Sequence, residues 1–126
     1  MDIQVNKIEA IIRYERLQEV QDALDEIGVS GLNVTEVKGC GAQRGYTEKY
    51  RGTAVHISLI PRLKIEAVMR AEIVKTVVDK MAVAARTGEV GDGKIFVLDV
   101  EDAVRIRTGE HGAETVQHAE RAMWGH

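Results

Sequence analysis

Cysteine, proline and aromatic residues are scarce in this chain of 126 residues. The one cysteine, Cys40, excludes an intramolecular disulfide, and the chain reads as a cytoplasmic protein. The one proline, Pro61, and scattered glycines exclude a linker-like or disordered chain. Aromatics at 4% are too few for base-stacking platforms, and a formal net charge of -3 excludes a nucleic-acid binder held by a global positive field. No apolar run is long enough to span a bilayer, and no charged-then-apolar leader opens the sequence. What remains is a chain of the right size for one domain, able to bury most of the surface its unfolded form exposes.

A repeat organises that domain. "KIEAIIR" at residues 7–13 returns as "KIEAVMR" at residues 64–70. Self-similarity at this spacing indicates two copies of one supersecondary unit. In each copy apolar residues alternate with charged ones: Ile8, Ala10 and Ile12 against Glu9 and Arg13, then Ile65, Ala67 and Met69 against Glu66 and Arg70. That period of two predicts a strand with one buried face. Ile11 and Val68 break the alternation, which predicts that the other face is covered too, as in an oligomer that packs sheets together.

Each strand is followed by a helical stripe. Leu17, Val20, Leu24 and Ile27 form the first, with Gly28 as its stop; Ile73, Val77, Val78, Met81 and Ala85 form the second, with Gly88 as its stop. A second strand completes each unit, at residues 32–37 and 94–100, both rich in β-branched residues. The order β-α-β-β-α-β predicts an α+β, ferredoxin-like sandwich, with both helices on one face of a four-stranded antiparallel sheet. That architecture hosts many functions and decides none of them.

Residues 86–96, "RTGEVGDGKIF", nearly satisfy the P-loop pattern, with Gly88, Gly93 and Lys94 in place. Ile95 stands where a magnesium-holding hydroxyl belongs. The context also fails, because a P-loop follows a strand and opens a helix, whereas this turn follows a helix and opens a strand. A phosphate cradle remains chemically sound: Gly91 and Gly93 let backbone N–H groups approach an anion, and Lys94 supplies a point charge. Arg105 and Arg107, two apart, would share one face of a strand and reach the same polyphosphate. The alternative is a plain glycine turn with two solvated arginines, and spacing alone leaves both open. Asp92 reads as a backbone-geometry residue or a ribose contact.

The segment of about residues 39–59 is too long for a hairpin connection, and loops of that length are usually functional or disordered. It carries Gly39, Gly41 and Gly45 early, then Arg44, Glu48, Lys49 and Arg51. Cys40 reads as a small apolar filler, since no histidine adjoins it. His56, His111, His118 and His126 show no metal-ligand spacing with cysteine. Trp124 reads as a packing or contact residue of the tail.

At these residues the chain resembles the PII nitrogen-regulatory signalling family. Three blocks carry the likeness: "VTEVKGCGAQRGYTEKYRG" (34–52), "IPRLKIE" (60–66) and "ARTGEVGDGKIFVLDVEDAVRIRTGE" (85–110). It spans about residues 6–112, so a domain of residues 1–112 and a tail of 113–126 are expected. The resemblance implies a homotrimer that binds ATP or ADP between subunits. It implies 2-oxoglutarate binding with MgATP, and a long loop that docks on an ammonium channel, a nitrogen-metabolism enzyme or a regulator. Such a protein is cytoplasmic, reaching a membrane only through a channel partner.

The resemblance assigns nucleotide contacts to Asn33, Gly39, Gly41, Gln43, Gly91, Asp92, Gly93, Lys94, Arg105 and Arg107. It assigns 2-oxoglutarate to Gln43, Arg44, Gly45 and Arg62, magnesium to the Gln43 carbonyl, and partner contacts to Tyr50 and Arg51. Three positions depart from the family pattern. Ala42 replaces a basic residue near the terminal phosphates, Arg62 replaces a lysine that pairs a carboxylate, and Asn33 replaces an adenine-binding threonine. Valine at Val55 stands where many members carry a nucleotidylated tyrosine; Thr53 lies near a serine that some members phosphorylate. A non-catalytic sensor is therefore expected. The alternatives are a small nucleotide-hydrolysing enzyme and a ferredoxin-like trimer that senses another small ligand; no positioned base stands out for the first.

Overall fold

In a computed structural model, the structure describes residues 4–29, 31–39, 49–50, 53–54, 59–112 and 115–116. Strand β1 (Val5–Ile12) runs through a 3-10 turn (Tyr14–Arg16) into helix α1 (Leu17–Glu26). Strand β2 (Asn33–Gly39) follows, then a short antiparallel ribbon of β3 (Lys49–Tyr50) and β4 (Thr53–Ala54). Strand β5 (Ile60–Arg70), a second 3-10 turn (Ala71–Ile73), helix α2 (Val74–Ala85) and strand β6 (Lys94–Val100) complete the order. The main sheet is antiparallel in the order β2-β5-β1-β6, the ferredoxin-like arrangement expected from the repeat.

The repeat is reproduced in detail. Arg13 and Arg70 end the two quoted segments in matching extended conformations, φ -69° with ψ 146° and φ -69° with ψ 144°. Each is followed by one 3-10 turn and a helix. β5 starts four residues before its quoted segment and β1 two residues before. β2 runs to Gly39, which pairs with Ile60, so Gly39 ends a strand rather than opening the long segment.

Alternation decides the core. Ile8, Ala10 and Ile12 of β1 and Leu63, Ile65, Ala67 and Met69 of β5 point at the helices and are buried. Val20 and Leu24 of α1 and Val77, Met81 and Ala85 of α2 close over them. Each large side chain among these contributes roughly 1.5–3 kcal/mol by leaving water. Val116 also joins this cluster. The opposite sheet face carries Ile11, Val68, Phe96 and Leu98 around an ion-pair cluster, with Lys7 2.7 Å from Glu66 and 3.0 Å from Glu9. Val68 is 42% exposed and Phe96 49% exposed, so an apolar surface lies uncovered within one chain.

The two helices stop differently. Gly28, at φ 80°, ends α1 with a Schellman motif: its N–H donates to Asp25 O (3.0 Å), and the Val29 N–H donates to Leu24 O (2.9 Å). The expectation that Gly28 is the stop is met. Gly88 is not the stop of α2. The helix ends at Ala85 because Arg86 is extended (φ -77°, ψ 133°), and Gly88 belongs to the turn beyond.

That turn is pinned to β1. Gly93 has φ 102°, and a Cβ there would overlap the Ile11 carbonyl oxygen and stand 2.9 Å from its carbonyl carbon. Left-handed conformation alone costs an ordinary residue about 1–2 kcal/mol. Gly93→Ala is therefore expected to lose at least about 2 kcal/mol of stability by urea unfolding, from strain and collision together. Gly109→Ala, at φ 78° with nothing within 4 Å, is expected to lose about 1 kcal/mol. Equal losses in the two variants would remove the β1 collision as the cause.

Candidate functional site

The turn between α2 and β6 is built around one carboxylate. Asp92 Oδ2 accepts the N–H groups of Thr87 (2.8 Å) and Gly88 (2.8 Å). Its Oδ1 accepts the Thr87 hydroxyl and the Arg13 Nε–H (2.9 Å). Arg13 also donates from Nη2 to Val90 O (2.8 Å). These bonds satisfy the N–H groups of the first turn residues beyond α2, which have no helical partner. Of the two readings of Asp92, the backbone-geometry one is what the contacts describe.

Asp92 is held well below the usual carboxylate range. The Thr87 hydroxyl is the first cause and Arg13 the second, partial burial opposes them, and the Thr87 and Gly88 amides add to the lowering. An ionised form favoured this strongly is a stability term that acid removes.

Above the turn lies an open cleft of about 340 Å³, bounded by Ile11, Ile12, Val78, Ala82, Ala85, Arg86, Asp92, Gly93, Lys94 and Ile95. Three expected site residues, Asp92, Gly93 and Lys94, meet there. Among the described residues Lys94 and Arg86 make no ion pair, so two cations border the cleft while its one carboxylate is already engaged. Ile95 packs against the core, as a strand residue does. The sequence reading missed Arg13, Arg86 and Thr87. For Arg13 a signal existed, since it closes one copy of the repeat.

Other expected residues lie elsewhere. Arg105 and Arg107 are not on a strand. They sit in a tight hairpin closed by the Val104–His111 bridge and by the Gly112 N–H on Ala103 O (2.8 Å). Arg105 Nη1 lies 2.9 Å from Glu110 Oε1, and its Nη2 donates to Thr115 O (2.7 Å). His111 Nδ1 is 2.8 Å from Asp102 Oδ2, and that pair, with the Ala103 N–H, lowers the Asp102 carboxyl. The expectation of two arginines side by side on a strand is thus corrected: Ile106–Thr108 turn, because the Gly109 N–H returns to Arg105 O at 2.7 Å. This hairpin follows the far end of β6 from Lys94, about 20 Å along the strand axis.

Asn33 is at the other edge of the sheet, paired with Glu66 on β5, and Arg62 pairs with Val37. By register, Asn33, Arg62 and Lys94 face the side of the sheet away from the helices. Gly39 is exposed at the end of β2. Of the remaining site residues, Gly91 has φ 101° in the turn, while Tyr50 is described only by its place in β3. Gly41, Gln43, Arg44, Gly45 and Arg51 lie outside the described residues, as do Cys40, Ala42, Val55, His56, His118, Trp124 and His126.

A family profile described as "Nitrogen regulatory protein P-II" matches residues 5–110. The chain belongs to the P-II family. It is 49% identical to the nitrogen regulatory protein P-II of Azospirillum brasilense over 112 residues, covering 89% of this chain and 100% of that protein. Against the P-II protein of Rhizobium etli it is 52% identical, over 85% of this chain and 96% of that one. Likeness extends to an archaeal P-II 1 protein of Methanothermobacter thermautotrophicus, 49% identical over 89% of this chain and 97% of that one. The crystal structure of Arabidopsis thaliana PII bound to citrate superposes with a TM-score of 0.71 at 39% identity, over 90% of this chain and 92% of that one. This P-II protein is a nitrogen-regulatory signalling protein, not an enzyme. No helix among its described residues is long and apolar enough to cross a membrane.

Acid should reveal the Asp92 network. Its folded pKa is depressed, so the stability it adds is present above its unfolded value, near 4, and is lost as pH falls toward the folded one. Glu66, lowered first by Lys7, and Asp102 work in the same direction. Asp92→Asn is expected to lower the urea midpoint at pH 7 but to flatten its decline between pH 5 and pH 2. A variant midpoint that falls as steeply as the parent's would overturn this account.

Proposed function

We propose that this P-II protein binds ATP or ADP in clefts between the subunits of a homotrimer. With MgATP bound it takes 2-oxoglutarate, and its long segment of about residues 39–59 relays occupancy to a partner. The partner class is an ammonium channel, a nitrogen-metabolism enzyme or a regulator, met in the cytoplasm or at the channel. The observation that carries this reading is the α2–β6 turn, where Gly93 and Lys94 border a cleft whose one carboxylate among the described residues is already engaged. Such a turn can bind a polyphosphate with amides and a point charge.

The distribution of the other candidates supports a site shared between copies. Lys94 and Asn33 lie on opposite edges of a four-stranded sheet, about 14 Å apart across three strand spacings. Arg105 and Arg107 lie beyond the far end of β6. One chain does not gather them, whereas a neighbouring copy can supply what each lacks. The exposed Val68, Phe96 and Leu98 give those copies an apolar surface to bury. The Arabidopsis relative was solved bound to citrate, a polycarboxylate, which suits a fold that accepts small anions. In this reading Arg62 pairs a 2-oxoglutarate carboxylate, bidentately if room allows. Ligand binding then shifts the population of loop conformations and, with it, affinity for the partner.

Calorimetry with ATP, with ADP, and with MgATP plus 2-oxoglutarate tests the reading directly. Saturable nucleotide binding is expected, and no heat at millimolar nucleotide would end it. Lys94→Ala is expected to weaken nucleotide at least about tenfold through lost charge-assisted bonds. With a nucleotidylating transferase, intact mass is expected to show no adduct, because Val55 has no acceptor group.

A further inference from the structure

We propose that Arg13 is a positioning residue for the anion-binding turn. Its guanidinium neutralises the Asp92 carboxylate and draws the Val90 carbonyl to itself, leaving Lys94 and the turn amides that Asp92 does not take for the ligand. The inference rests on the nucleotide reading above and deepens it.

An aspartate inside a phosphate-binding turn is an electrostatic liability. A carboxylate a few ångströms from a polyphosphate repels it, and poorly screened pairs repel most. In this turn both Asp92 oxygens are occupied, Oδ2 by the Thr87 and Gly88 amides and Oδ1 by the Thr87 hydroxyl and Arg13. Arg13 is the only cation of that set. It also reaches Val90 O at 2.8 Å, so one side chain engages two groups that would face an anion unfavourably. Only a planar fork does both at once; a lysine offers one point charge.

The placement is specific to one copy of the repeat. Arg70, the counterpart of Arg13, has the same backbone conformation but bonds Glu72 two residues away (3.0 Å). Arg13 instead crosses to the turn, because β1 lies beside β6 and Gly93 is pressed against Ile11. Its side chain is 19% exposed and that of Asp92 23%, so water screens the pair incompletely. Arg13 need touch no ligand for this role.

The test uses the full chain with parent, Arg13→Ala, Arg13→Lys and the double variant Arg13→Ala/Asp92→Asn. ATP affinity is measured at low and high salt, together with the thermal midpoint and oligomeric state. Arg13→Ala is expected to weaken ATP about tenfold or more, with a greater loss at low salt. Arg13→Lys, which keeps the charge, is expected to recover part of the loss and to fold in any case. Adding Asp92→Asn to Arg13→Ala is expected to restore binding by about threefold or more, since it removes the exposed charge. A merely structural role predicts that the double variant binds no better than Arg13→Ala, and that outcome would overturn the proposal. So would parental affinity in Arg13→Ala.

Hydrogen exchange without nucleotide separates this inference from the one beneath it. The Thr87 and Gly88 amides are expected to exchange faster in Arg13→Ala than in the parent. If the parent binds no nucleotide, the functional reading fails, and the exchange rates still decide whether Arg13 holds the turn. Unchanged rates would overturn it.

Discussion

The turn between α2 and β6 is pressed so hard against β1 that Gly93 has no room for a side chain beside the Ile11 carbonyl. Much of the molecule's useful geometry follows from that contact. It starts β6 with Lys94 opposite Ile11, so that Ile95 enters the core and Lys94 is left at the cleft. It also puts the turn within reach of Arg13, two residues beyond Ile11. The glycine that a motif search reads as phosphate-binding is therefore first a packing glycine. A backbone that carries no Cβ at such an approach can also come close to an anion.

The frame of the fold was legible because it is periodic. Alternation in the two quoted segments identified β1 and β5, the helical stripes identified α1 and α2, and their order gave the sheet. Gly28 was readable as a stop because the Schellman motif is local, its bonds joining residues at most five apart. Gly88 misled because its place is set by Asp92, whose carboxylate gathers the Thr87 and Gly88 N–H groups of the turn beyond the helix. Arg105 and Arg107 misled for a similar reason. Spacing of two fits a strand, yet Gly109 and Glu110 fold the segment into a hairpin. Arg13 and Asp92 are 79 residues apart, and no periodicity in either neighbourhood records their contact. The candidate site residues were named by likeness to a family, whereas the bonds that shape the turn were visible only in three dimensions.

Binding and assembly are tied together in this reading. The open sheet face holds Lys7, Glu9, Lys64 and Glu66 among apolar side chains. Within one chain those ion pairs are partly wet and contribute little. Covered by another copy they would be far less screened, and mispaired charges there would be costly, which favours one register of association over others. The same association would bring an Asn33 edge, a Lys94 edge and an Arg105–Arg107 hairpin from different copies toward one another. A ligand that bridges them stabilises the assembled form over the separate chains. Occupancy is then reported by the whole assembly, which suits a protein whose output is a contact with a partner.

A signalling site must hold its ligand without consuming it. Fast phosphoryl transfer needs a group that orients the nucleophile, and base catalysis needs an acceptor within hydrogen-bond reach of the proton it takes. Among the described residues Asp92 is the one carboxylate bordering the cleft, and its oxygens are filled by Thr87, Gly88 and Arg13. Its depressed pKa makes it a poor proton acceptor at neutral pH. The interactions that shape the turn thus also disarm it. The Asp92 charge is committed to structure while Lys94 and Arg86 stay at the cleft, and under the proposed function a nucleotide held there would persist long enough to act as a signal.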